Sequence, residues 1–209
     1  MRMKKSILIV AAHPDDEVLG CGGTIARRVS EGASVYTLVL GEGIASRETK
    51  AVRRGQRGDI DALRKDALKA NSVLGVKKVF FHDLPDNRFD TVALLDIAKI
   101  VEKTKKEIKP DIVYTHYHGD LNIDHRIVFQ AVLTACRPLR HETVKEIYSF
   151  EIPSSTEWNY PYVFSPNVFV DISGTIHKKI AALECYKSEI RPFPHPRSKE
   201  AVTALAKQR

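Results

Sequence analysis

Apolar and polar positions follow a repeating order along this chain: a short apolar run, then a longer stretch of helical period. Ser6 to Val10 is a continuous apolar run that predicts a first strand, and Val18 to Ser30 predicts a first helix. Ser34 to Leu40 is β-branched and apolar, a second strand. Asp59 to Leu74 sets Ile60, Leu63, Ala67, Ala70 and Leu74 near a helical period, and Gly75 suits the residue just past its end. Val76 to Phe81 predicts a third strand, Asp90 to Ile108 a long amphipathic helix that Pro110 ends, and Asp111 to Thr115 a fourth strand. Ile123 to Cys136 reads as helix, Val144 to Phe150 and Asn167 to Ile172 as strands, and Thr175 to Ile190 as a last helix. Three segments carry no such period. Gly41 to Gly55, with Glu42, Arg47, Glu48, Arg53 and Arg54, reads as a mobile loop; Ser154 to Tyr162 is a polar-aromatic loop; Arg191 to Arg197 is proline-stiffened and extended. Strands separated by helices imply a mainly parallel sheet with right-handed crossovers. The expected fold is α/β, a Rossmann-like three-layer sandwich forming a single domain over residues 1–209.

Polar clusters interrupt this pattern at two strand ends. Ala11-Ala12-His13-Pro14-Asp15-Asp16-Glu17 joins the first strand to the first helix, where open α/β sheets bind ligands. Acids do favour a first helical turn, and Pro14 fits the first helical position, which accounts for Asp16 and Glu17 but leaves His13 unexplained. Three carboxylates at one turn repel each other unless a cation offsets them. After the fourth strand, His116-Tyr117-His118-Gly119-Asp120-Leu121-Asn122-Ile123-Asp124-His125-Arg126 adds three histidines and two aspartates on the same rim. His13, Asp16 and His125 would give a metal two imidazoles and one carboxylate, leaving Asp15 free as a base and Glu17 to orient a ligand. His and Asp without Cys suit Zn²⁺, Fe²⁺ or Co²⁺. Two other motifs fail. Asp120-Leu121-Asn122-Ile123-Asp124 opens like an EF-hand, but His125 stands at its sixth position and Ala131 at its twelfth. Gly20-Cys21-Gly22-Gly23 lacks the third glycine of a dinucleotide fingerprint, since residue 25 is Ile25, so these glycines are expected to allow close approach of helix to sheet, or of substrate to backbone.

Composition narrows the setting. The 209 residues are 43% hydrophobic and 28% charged, ordinary for a globular domain. The net charge of +7 lies largely in solvated lysines such as Lys99, Lys103, Lys105, Lys106 and Lys109, with no aromatic-interleaved stripe for nucleic acid. Cys21, Cys136 and Cys185 form no CxxC pair, and their odd number suits a reducing cytoplasm. The basic start, Met1 to Lys5, resembles the opening of a signal peptide, but His13 to Glu17 ends the apolar run, so a buried strand is the better reading. No run has transmembrane length, so no stable membrane insertion is expected.

The two clusters, in this order, resemble the LmbE/PIG-L family of zinc-dependent N-acetylglucosamine deacetylases across Ile7 to Ile190. Ala-His-Pro-Asp-Asp-Glu and the Asp-His-Arg at residues 124 to 126 carry the resemblance. It implies His13, Asp16 and His125 as metal ligands, Asp15 as general base, and an arginine, here Arg64 with Arg53, Arg54 and Arg57 nearby, on the acyl or substrate oxygen. The implied substrate is a small N-acetylated sugar conjugate, and a member is expected to run somewhat beyond residue 209. Many members carry His-Pro-Asp-His at the third ligand, whose first histidine helps protonate the leaving amine; here the quartet is Asn122-Ile123-Asp124-His125. The remaining donors are His116, His118 and Asp124. His118 is favoured because it sits on a glycine-containing loop and imidazole is the side chain suited to proton donation near neutrality, with Asp124 supporting it. Trp158, Tyr160, Phe193 and Arg197 lie in late loops that either line the sugar site or simply pack. Two rivals stay open: another metal-dependent amidohydrolase with a non-sugar amide, or a catalytically idle metal- or sugar-binding domain. A homo-oligomer is compatible with either.

Overall fold

Residues 7–11 of the first strand are all buried, as expected of a central strand covered on both faces. The computed structural model describes residues 5–43 and 56–209, and the side chains of residues 56–58 fall outside it. The glycine- and arginine-rich loop expected after Gly41 therefore lies outside the described residues from residue 44 to 55, with Arg47, Arg53 and Arg54. The strands are β1 (Ser6–Ala11), β2 (Ser34–Gly41), β3 (Lys78–Leu84), β4 (Ile112–His116) and β5 (Glu146–Phe150). The helices are α1 (Asp16–Ser30), α2 (Gln56–Leu74), α3 (Leu94–Ile108), α4 (Ile123–Ala135), α5 (Ile176–Leu183) and α6 (Lys199–Gln208).

All strand pairs are parallel, in the order β3-β2-β1-β4-β5. Ile7 of β1 pairs in register with Val35 of β2 and Ile112 of β4. The chain steps outward from β1 to β3 and then crosses back to β4, so its direction across the sheet reverses between β1 and β4. That switch point opens a crevice between the loops that leave their C-terminal ends. Alternation along β1 divides the core in two. Ile7 and Ile9 pack under α1, α2, α5 and α6, with Leu19, Ile25, Leu63, Leu74, Leu183 and Val202. Leu8 and Val10 pack under α3 and α4, with Ile97, Val101, Val128 and Val132. The result is a Rossmann-like three-layer sandwich, and its sheet is parallel throughout.

Four segments differ from expectation. The long helix from Asp90 begins instead as a 3₁₀ turn, Phe89–Thr91, followed by extended Val92, and α3 starts at Leu94. The cause is Phe89, which is fully buried and donates its backbone N–H to Asp124 Oδ1 at 3.0 Å. Residues 167–172 have no strand partner, because their apolar end is used against α1: a Cβ on Gly23 would lie 2.6 Å from Ile172 Cδ1. Residues 191–197 form turns rather than an extended rod, closed by His195 N–H to Pro192 O at 3.1 Å and Ser198 N–H to His195 O at 2.8 Å. The last predicted helix ends at Leu183, and α6 follows, capped by Ser198 Oγ accepting the Ala201 N–H at 3.1 Å.

The glycines of α1 do bring the helix close to its neighbours. Its regular geometry breaks at Cys21 (φ −136°, ψ 21°), where buried Lys179 donates from Nζ to Leu19 O at 2.8 Å. A Cβ on Gly20 would lie 2.3 Å from Phe150 Cδ2, inside any normal contact. Gly20→Ala is therefore expected to lose about 1–3 kcal/mol through overpacking. Urea denaturation measures this, and an unchanged midpoint would contradict the close approach.

Candidate active site

β1 ends at Ala11 and the chain turns into α1 within residues 12–15. The turn is tied on both sides: Ala12 donates its N–H to His116 Nε2 at 2.8 Å, and Gly41 donates its N–H to Ala12 O at 2.7 Å. Pro14 lies outside the helix, and Asp15 is its N-cap, left-handed at φ 106°, ψ −29°. A non-glycine residue there carries about 1–3 kcal/mol of strain. An N-cap aspartate ordinarily accepts an N–H of its own helix. Asp15 makes no such bond, and its Oδ2 instead accepts from Arg197 Nη1 at 2.9 Å. Its backbone N–H donates to Glu17 Oε2 at 3.1 Å. Glu17 is held through Oε1 by Tyr186 Oη at 2.6 Å and Asn71 Nδ2 at 2.8 Å.

Beside Asp15, three side chains of metal-binding type converge. Asp16 Oδ2 lies 3.4 Å from His13 Nδ1 and 3.3 Å from His125 Nε2, and ligand atoms of the three lie within 4.8 Å of one another. Each imidazole turns its other nitrogen to a carboxylate. His13 Nε2 lies 2.9 Å from Asp124 Oδ2 and 3.1 Å from Asp86 Oδ1, while His125 Nδ1 lies 3.1 Å from Asp120 Oδ1. This is how metal-binding histidines are usually oriented. The carboxylates are themselves fixed. Asp124 accepts the N–H groups of Asn87 at 2.7 Å and Phe89 at 3.0 Å, and Asp120 accepts the hydroxyls of Ser155 and Thr156. His13, Asp86 and Asp124 also satisfy ligand spacing. The backbone donors already on Asp124 make that trio the support of His13 rather than a second centre.

The charges favour a cation. Asp15, Asp16, Glu17, Asp86, Asp120 and Asp124 are all buried here. Burial opposes protonation of His13, but Asp124, Asp16 and Asp86 outweigh it and raise its pKa well above the usual range. Burial likewise opposes protonation of His125, yet Asp16 and Asp120 raise it to about 8. Burial would raise Asp16, but His125 and His116 hold it well below the ordinary carboxylate range. Burial raises Asp15 well above its usual value despite Arg197. It also lifts Glu17 to about 7 despite the Tyr186 hydrogen bond. The two imidazoles thus draw protons toward the point where a dication would sit, and the residues fit such an ion.

Residues 8–136 match the family described as PIG-L, GlcNAc-PI de-N-acetylase. The chain belongs to the PIG-L family. Among relatives, the uncharacterized deacetylase YaiS of Escherichia coli K12 is 30% identical over 190 residues, covering 88% of this chain and 92% of YaiS. The diacetylchitobiose deacetylase of Thermococcus kodakarensis is 28% identical, over 88% of this chain and 70% of that protein. The crystal structure of GalB, the 4-carboxy-2-hydroxymuconate hydratase of Pseudomonas putida KT2440, superposes with a TM-score of 0.77 at 25% identity, covering 98% of this chain and 85% of GalB.

The other expected site residues of this PIG-L protein are spread more widely. Asp124 holds His13 across the crevice and does not serve His118. His118 is exposed, its ring 4.3 Å from Tyr117 and 5.6 Å from Phe129, and no ion pair joins it to the cluster among the described residues. His116 is buried, its pKa pushed well down by burial and His125. Arg64 is bound to Asp83 and lies 5.4 Å over the Phe81 ring. Trp158 is 53% exposed, with its ring 6.5 Å from His195 near Arg197. Asn122 caps α4, accepting the Asp124 N–H at 2.8 Å. Sequence reasoning missed Asp86, although Pro85-Asp86-Asn87 follows β3 on the same rim. It also missed Asn71 and Tyr186, which no local motif marks.

His13→Ala and His125→Ala are each expected to lose most bound metal by elemental analysis, and retained stoichiometric metal in both would overturn the ligand set. A second expectation concerns pH. In metal-free protein His125 is raised from the usual 6.5 to about 8. Its proton therefore stabilises the fold fully below pH ~6.5, and that contribution, about 2 kcal/mol, is lost as pH rises through ~8. Metal-free protein should melt at a lower temperature at pH 9 than at pH 6. Saturating zinc should remove most of the difference, since metal replaces the proton.

Proposed function

We propose that the protein is a zinc-dependent hydrolase that removes the acetyl group from an N-acetylglucosaminyl conjugate, releasing acetate and a free amine. One observation carries the reading: His13, Asp16 and His125 converge beside Asp15, whose carboxylate is withheld from its own helix. Three protein ligands leave a position open, the arrangement of catalytic zinc, with Fe²⁺ or Co²⁺ as chemical alternatives. A dication held there would activate water and polarise an acyl carbonyl.

The chain's own groups supply the proton traffic. Asp15 takes a proton from the attacking water. It then returns the proton to the departing nitrogen, because an amide does not expel an unprotonated amide anion. His118, exposed at the rim, is the alternative donor. His13 and His125 keep their facing nitrogens aimed at the centre because Asp124, Asp86 and Asp120 hold the opposite ones. The exposed face of Trp158 offers a platform for a sugar ring. A sugar substrate draws support from the GlcNAc-PI description of the family and from the diacetylchitobiose deacetylase relative. The free thiols Cys21, Cys136 and Cys185 fit a reducing cytoplasm.

The likeness to GalB favours a second reading, addition of water to the double bond of an unsaturated acid. A screen separates the two. Acetate release is followed over N-acetylglucosaminyl conjugates and simple N-acetyl amides, ultraviolet absorbance over conjugated dicarboxylic acids, and metal content on the same sample. Acetate from the sugar conjugates supports the proposal. Acetate from the simple amides alone moves the substrate outside sugars, and absorbance loss without acetate selects hydration.

Asp15→Asn should keep its metal and lose ~10²-fold or more in turnover, the usual worth of a general base. Metal lost from Asp15→Asn but kept in Asp16→Asn would reverse the two aspartates. His118→Ala should leave turnover nearly unchanged if Asp15 returns the proton. Loss of the alkaline limb of the pH–rate profile, sparing substrates with good leaving groups, would transfer that role to His118.

A further inference from the structure

Asp15 is presented in an unusual way. Its backbone is left-handed, so its carboxylate leaves the helix N-terminus without a bond to it. It is buried with Asp16, Glu17 and Glu189 for neighbours, all of which disfavour its charge. A carboxylate so crowded has no reason to keep one orientation unless something holds it.

Arg197 is in position to do so. Its Nη1 donates to Asp15 Oδ2 at 2.9 Å and lies 3.6 Å from Glu189 Oε2, and its Nε donates to Ser154 Oγ at 2.7 Å. Its own backbone N–H donates to His195 Nδ1 at 3.1 Å. The guanidinium is thus held by the loop after β5 and the segment after α5, and the Arg197 backbone by the turn before α6. All of them lie beyond residues 8–136, the part that matches the family. Two of its three nitrogens already donate within the protein, and only 23% of the side chain is exposed. That leaves it a poor reader of substrate and a good anchor.

We propose that Arg197 is a positioning residue: it holds the Asp15 carboxylate at the angle proton transfer requires. This rests on Asp15 being the general base. The fork geometry matters as well as the charge, because one edge meets Asp15 while Nε is locked by Ser154. A misplacement of about 1 Å costs ~10²-fold in rate.

The test uses full-length, metal-loaded protein and an acetylated substrate that the wild type turns over. Arg197→Ala is expected to lose ~10²-fold in kcat with KM and metal stoichiometry unchanged. Added guanidinium ion should restore part of that loss, which a merely structural defect would not allow. Arg197→Lys should fall between wild type and Arg197→Ala. If Arg197→Ala does not fold, Ser154→Ala reads the same geometry and should lower kcat several-fold with KM and metal unchanged. A raised KM with kcat kept would make Arg197 a substrate ligand and overturn the proposal. So would metal loss, unchanged kcat, or a kcat loss that guanidinium does not relieve. Wild-type inactivity on every acetylated substrate would instead overturn the deacetylase reading, and this inference with it.

Discussion

Charge buried at the sheet's switch point is the constraint on which the rest depends. Asp15, Asp16, Glu17, Asp86, Asp120 and Asp124 lie within a few loops of one another, out of reach of bulk water. Carboxylates in such surroundings must be protonated, hydrogen-bonded or neutralised by a cation. All three solutions appear. Asp124 and Asp120 are satisfied by backbone N–H groups and hydroxyls; burial would raise Asp120, but His125, Ser155 and Thr156 together bring its pKa down to about 2. Glu17 is pushed by burial toward protonation near neutrality. Asp16, with an imidazole on either side, stays ionised and faces the shared centre. The acid left with a guanidinium as its partner is Asp15.

The fold is arranged so that this charge can be held still. β1 and β4 deliver His13 and His125 from opposite sides of one crevice, and Ala12 N–H on His116 Nε2 fixes the spacing between the two loops. His116 stacks on His125 at 4.0 Å, so it serves as a wall as well as a tie. Glu17 turns the loop after β1 into a fixed object: it carries the Asp15 N–H on one oxygen and α2 and the post-α5 segment on the other. The strain at Asp15 persists because four elements hold it there, which is the condition under which strain survives at functional sites.

The sheet and the convergence of His13, Asp16 and His125 were legible in the sequence because both leave local marks. Continuous apolar runs mark β1 and β2, and strand-end clusters containing histidine mark the rim. What was not legible was decided by contacts far apart in sequence. Phe89 leaves the expected helix because its N–H is needed by Asp124, 35 residues away. Residues 167–172 have strand composition but no strand partner, since Ile172 fills the space above Gly23. Arg64, which the resemblance puts on the acyl or substrate oxygen, is instead bound to Asp83 and lies over the Phe81 ring. Tyr186 looks like an ordinary helical aromatic until its hydroxyl is found on Glu17.

Asn122 ties the site's chemistry to its architecture. It caps α4 through the Asp124 N–H at 2.8 Å and donates from Nδ2 to Asn87 Oδ1 at 3.0 Å. Asn87 in turn donates its N–H to Asp124 at 2.7 Å. Asn122 thus stabilises both the residue that orients His13 and the loop that secures that residue. The position is committed to geometry and carries no titratable proton. Deacetylation and hydration both need an activated water and a proton delivered later, so a rim without an acid here puts that second task on Asp15 or on a group outside the cluster. A base that must also return its proton has to stay aimed through the whole reaction. For the proposed reaction the last third of the chain supplies what that aim needs: Arg197 on the Asp15 carboxylate and Tyr186 on Glu17, which carries the Asp15 N–H.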